Sequence, residues 1–141
     1  YPTWLDGMMN RFGGGLVFYK SQIDVSHTTF TDCLDNDLTG GVFTAIYSEG
    51  NINGVSFLKT TSYRAGTLTL LSSDVVVDNL FMFDAYGIYI DSSNIEIRNS
   101  TLDNCSPYIQ WGIINTVNSE VEITNCDITN NNGTGILAQY S

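Results

Sequence analysis

Hydrophobic residues in this chain alternate with polar ones in short bursts, and the bursts recur. From 94 to 98 the order is Asn94, Ile95, Glu96, Ile97, Arg98; from 120 to 124 it is Glu120, Val121, Glu122, Ile123, Thr124. Side chains of a strand point to opposite faces in turn, so each burst predicts a short strand with one apolar and one polar face. The 3.6-residue period of an amphipathic helix is absent.

Five ten-residue windows align without a gap: SQIDVSHTTF (21–30), SEGNINGVSF (48–57), SDVVVDNLFM (73–82), SNIEIRNSTL (93–102) and SEVEITNCDI (119–128). Each opens on serine and closes on a large apolar residue: Phe30, Phe57, Met82, Leu102 or Ile128. Carried through the window, a period of two puts positions one, three, five and seven inward. That expectation makes an inward column of His27, Gly54, Asn79, Asn99 and Asn125. Gly15, Gly41, Gly66, Gly87 and Gly112 stand six or seven residues before the serines. The strands after these glycines conflict, since Ile88 and Ile90 suggest one register and Leu68 and Leu70 a shift by one.

One apolar face per unit cannot bury itself; stacking the units buries it. The serine spacings are 27, 25, 20 and 26 residues. The expected fold is all-β, a right-handed single-stranded parallel β-helix of about five coils of 20–27 residues each. The hand follows from the strong bias of parallel crossovers. Residues 13–141 form the repeats, and 1–12 form an N-terminal cap or junction. Gly135 opens a sixth unit that Ser141 leaves unfinished, so the chain reads as a fragment of a longer array. End-to-end partners are then expected: further β-helix segments, or copies of the chain itself.

Asn99-Ser100-Thr101-Leu102-Asp103-Asn104 and Gly40-Gly41-Val42-Phe43 resemble the repeat signatures of right-handed parallel β-helix proteins. These include the pectin-lyase-like superfamily, bacterial surface adhesins and autotransporter passengers. The resemblance covers roughly residues 13–141. It implies an extracellular or cell-surface protein, and either a structural and adhesive role or an activity on polysaccharide. The fold alone does not choose between them.

Charge narrows the choice. Asp and Glu number 15 against 5 Lys and Arg, a net of −10. Such a surface repels phosphate backbones and anionic bilayers. No apolar run reaches the ~18–20 residues of a membrane helix. Cys33, Cys105 and Cys126 show no C-x-x-C spacing and lie far from His27, the single histidine, so a zinc site has little support. Cys33 and Cys105 share a column but stand three coils apart, roughly 14 Å at one strand spacing per coil. No disulfide is expected across that distance.

The hydrolase branch of the resemblance calls for paired aspartates with Gly-His-Gly, and His27 has no flanking glycine. Asp32, Asp35 and Asp37 read as turn residues. The lyase branch calls for calcium on strand carboxylates beside an arginine that removes a proton. The alignment brings one such set together: Glu96 opposite Glu122, with Asp78 and Arg98 alongside. These are the catalytic candidates of a calcium-dependent, pectate-lyase-like alternative. Tyr86, Tyr89, Tyr108 and Trp111 are candidates for stacking on sugar rings in a carbohydrate-binding module. Three glycosylation sequons begin at Asn99, Asn104 and Asn132. If the chain is made in a secretory pathway, unequal use is expected: the inward column would seal Asn99, Asn104 stands in a poor context ahead of Pro107, and Asn132, in an exposed turn, is the first acceptor with Asn104 behind it. The first expectation for function is a non-enzymatic structural or adhesive segment of an extracellular, cell-surface or filament-forming protein, without cofactor.

Overall fold

The computed structural model of the chain describes residues 15–35, 41–62, 66–107 and 112–140. The expected cap, 1–12, lies outside them. The first coil holds β1 (Leu16–Tyr19), β2 (Gln22–Ser26), β3 (Thr29–Thr31) and the two-residue β4 (Leu34–Asp35). The second holds β5 (Phe43–Ile46), β6 (Glu49–Asn53) and β7 (Ser56–Ser62), and the third β8 (Leu68–Leu71), β9 (Asp74–Asp78) and β10 (Phe81–Ala85). The fourth holds β11 (Ile88–Asp91), β12 (Asn94–Arg98) and β13 (Thr101–Asp103). The fifth holds β14 (Gly112–Val117), β15 (Glu120–Thr124) and β16 (Asp127–Thr129), and β17 (Thr134–Gln139) opens the next.

Equivalent strands pair in parallel and build three faces, ordered β1-β5-β8-β11-β14-β17, β2-β6-β9-β12-β15 and β3-β7-β10-β13-β16. No helix occurs among the described residues. The window alignment is the observed register. Ile97 pairs with Val77 and Ile123, and Met82 with Phe57 and Leu102. Inward residues from all three faces form one core that includes Phe43, Ile52, Phe57, Leu70, Val77, Met82, Ile90, Ile97 and Leu102. Phe30 stacks on Phe57 with centroids 5.0 Å apart. Burying such side chains stabilises a fold by about 1.5–3 kcal/mol each.

The corners differ from the sequence expectation. Position seven does not face inward. Asn99 is exposed, with φ 51°. His27, Asn79 and Asn125 share that left-handed conformation, at φ 50°, 55° and 50°. A left-handed residue turns the chain and breaks the alternation, so Arg98 and Asn99 both point out and Ser100 points in. The same conformation recurs before each window serine, as at Tyr47 (φ 50°), and at position twelve, as at Asn104 (φ 52°). Every coil thus bends three times by one device. Asn bears this φ at low cost, whereas Lys20, Tyr47 and Lys59 adopt it against their preference. Corner N–H groups bond to the next coil: Tyr47 donates to the Leu71 carbonyl at 3.1 Å and Asn99 to that of Thr124 at 3.1 Å.

The serines lock the coils together. The Ser93 hydroxyl donates to the Asp91 carbonyl at 2.8 Å and accepts the Ser73 N–H at 3.0 Å. Ser48 and Ser73 repeat the pattern, and Ser119 accepts the Ser93 N–H at 3.0 Å. The glycines serve close approach: a Cβ on Gly41 would sit 2.2 Å from the Gly66 carbonyl oxygen. The conflict after the glycines disappears when residues are counted back from the serines. Leu68 pairs with Ile88 and Leu70 with Ile90, all pointing into the core.

Candidate functional surface

The second face carries the charged candidates where the alignment put them. Glu96 pairs with Glu122, and Arg98 with Asp78. The arginine bonds two of these carboxylates. Its Nε donates to Asp78 at 3.1 Å and its terminal nitrogen to Glu96 at 3.0 Å. The hydrogen bond to Asp78, then that to Glu96, raises the guanidinium pKa above its usual value. Asp78 also accepts the Asn99 amide at 3.0 Å, and Asn99 in turn accepts the Asn125 amide at 2.7 Å. The Asn99 bond, with Arg98 behind it, outweighs partial desolvation and holds the Asp78 carboxyl below its ordinary pKa. An arginine clamped by two carboxylates is a poor proton acceptor. The same clamp engages Asp78 and Glu96, two of the three carboxylates of the calcium set, and leaves Glu122 outside it. Among the described residues no three His, Cys, Asp or Glu side chains converge as a metal site.

The aromatic candidates do not form one platform. Tyr89 lies on the outer side of the first face, half-buried against Ile46 and Leu71 together with Tyr19 and Tyr47. Burial, then the neighbouring Asp91, pushes its phenol pKa up. Tyr86 is half-exposed in the connection between β10 and β11, its N–H donated to the Thr67 hydroxyl at 3.0 Å. Tyr108 and Trp111 lie outside the described residues. So does Asp37, while Asp32 is an exposed corner residue and Asp35 ends β4. Asn132 is exposed, as expected of it; Asn104 is exposed too, and so is Asn99, which corrects the sealed position expected for it. Its amide is nevertheless held by Asp78 and Asn125.

A feature the sequence did not announce lies along the corner between the first and second faces. A groove of about 620 Å3 follows the serine ladder there. Lys20, Tyr47, Ser72 and Ser92 line it with Gln22, Glu49, Asp74 and Asn94, and the serines lie between these two sets. The groove was illegible because the residues ahead of the serines share a backbone conformation and no residue type. Its rim offers an aromatic ring, carboxylates, amides and hydroxyls at a repeat of about 4.8 Å, one strand spacing per coil.

The three cysteines are free, and Cys105 is fully buried. Burial first of all raises its thiol pKa from the usual 9.0 to about 11.

The family model of a right-handed β-helix region matches residues 6–141, starting inside the segment expected to be a cap. No curated protein and no solved structure shows a significant match.

Proposed function

Because the chain belongs to the right-handed β-helix family, we propose that it serves as a rigid, non-catalytic length of an extracellular, cell-surface or filament-forming protein. The observation that carries this reading is the state of Arg98. The side chain best placed for chemistry is tied to Asp78 and Glu96, as a brace between neighbouring strands rather than a poised base. The serine ladder and the left-handed corners likewise direct polar groups at the next coil. Its partners on this reading are further β-helix segments or copies of itself stacked along the axis.

One observation favours a second reading, a carbohydrate-binding module. The corner groove presents Tyr47 beside Glu49, Asp74 and Asn94, a mixture suited to sugar faces and hydroxyls. A calcium-dependent lyase stands third, with Arg98, Glu96, Glu122 and Asp78 as its residues. Incubating the protein with polygalacturonate and calcium separates the first reading from the third. No rise in unsaturated-product absorbance is expected. A rise that Arg98→Gln abolishes would overturn the proposal.

A further inference from the structure

Exposed asparagine followed by glycine is chemically unstable. The glycine backbone nitrogen attacks the asparagine side-chain carbonyl, ammonia leaves, and a five-membered succinimide forms. Water then opens the ring at either carbonyl, giving aspartate or isoaspartate. The step requires a glycine nitrogen free to attack and an asparagine side chain free to swing over it.

The chain contains two Asn-Gly pairs, Asn53-Gly54 and Asn132-Gly133. Both asparagines are exposed. The fold holds the first pair shut. Asn53 ends β6, paired with Ser26 on one side and Asp78 on the other. The Gly54 nitrogen, the would-be nucleophile, donates its hydrogen to the Asp78 carbonyl at 3.0 Å.

The second pair is anchored up to its reacting atoms and no further. The Asn130 amide donates to Asp103 at 2.9 Å. The Asn131 amide accepts the Cys105 N–H at 2.6 Å and donates to the Leu102 carbonyl at 3.1 Å. The Asn132 N–H donates to the Cys105 carbonyl at 3.0 Å. Beyond that atom the anchoring stops: among the described residues neither the Asn132 side chain nor the Gly133 nitrogen is hydrogen-bonded. Gly133 is exposed, at φ 127°, a backbone open to glycine and to few other residues.

We propose that Asn132 is a spontaneous deamidation and isoaspartate-forming site, selected over Asn53 because the ladder holds the Gly54 nitrogen and leaves that of Gly133 free. The product adds a negative charge and, as isoaspartate, one extra backbone carbon just ahead of β17. Pairing of that strand begins at Thr134, opposite Gly112. The product also erases the sequon at Asn132.

The test is to age the intact protein in mildly alkaline buffer, folded and in guanidinium, and to map Asp and isoAsp by peptide mass spectrometry with isoaspartyl-methyltransferase labelling. In guanidinium the two sites convert at similar rates. In the folded protein Asn132 converts, and Asn53 lags it by about tenfold or more, the protection of a ladder that must open first. Equal rates at the two sites in the folded protein would overturn the inference. So would a folded Asn132 that stays intact while unfolded Asn53 converts.

Discussion

Replacing Ser93 by alanine tests the serine ladder most directly. The hydroxyl donates to the Asp91 carbonyl, with a longer contact to that of Leu70 at 3.3 Å, and accepts the Ser73 N–H. The Asp91 carbonyl keeps a second partner, the Ser72 N–H at 2.9 Å. The Ser73 N–H keeps none, on a residue only 5% exposed. The loss is therefore dominated by one buried donor left without an acceptor, about 1–3 kcal/mol. Ser21→Ala is the internal control. That hydroxyl is exposed and donates to Tyr19, and its removal should cost within about 0.5 kcal/mol. Urea unfolding followed by tyrosine and tryptophan fluorescence should show the difference as a lower midpoint at unchanged slope. Stacked repeats can lose cooperativity, so amide exchange at Ser73 gives a local readout independent of the global transition. Ser93→Ala and Ser21→Ala with equal midpoints, and Ser73 exchange unchanged, would refute the ladder.

Gly41→Ala forces a Cβ against the Gly66 oxygen and should cost about 1–3 kcal/mol by thermal melt or urea unfolding. Gly54→Ala should also destabilise, by about 1–2 kcal/mol, because a side chain at φ 66° is strained even though the nearest atom to its Cβ, His27 Cδ2, stands at an ordinary 3.5 Å. Arg98→Met should change stability by no more than about 1 kcal/mol in the same assay, as for other exposed ion pairs. In native thiol titration at neutral pH, Cys105 should react last, behind half-exposed Cys33 and Cys126. Because its folded pKa is raised, the native thiol resists ionisation, so its contribution to stability should fall as pH climbs from about 9 towards about 11, an alkaline decline that Cys105→Ala removes.

The strand register was legible because side chains alternate with a fixed period and the serines marked its phase. Ile97, Val77 and Ile123 could be stacked on paper, and so could Arg98 beside Asp78. The corners were misread for the same reason. The period was carried through Asn99, where a left-handed residue resets it. The asparagines at 79, 99, 104, 125 and 130 were the available signal, since this residue type tolerates that φ. Lys20, Tyr47, Ser72 and Ser92 share that φ without sharing a residue type, so they gave no signal for the groove beside them. The ion-pair geometry of Arg98 was also out of reach, because register brings groups together without saying which way a long side chain leans.

The coils differ in length, yet the difference is confined to one place. From each window serine to the inward residue at position thirteen, such as Cys33, Thr60, Ala85 or Cys105, the count never changes. From the inward residue at Phe43, Leu68, Ile88 or Ile114 to the next serine it does not change either. All variation falls in the connections at 34–42, 61–67, 86–87 and 106–113. A residue inserted anywhere else would slide every later column by one and turn core side chains outward. At these connections a coil can lengthen while its neighbours keep their stacking. The array therefore has one editable seam along its length, where new loops can be grafted or shed coil by coil without renegotiating the rest of the molecule.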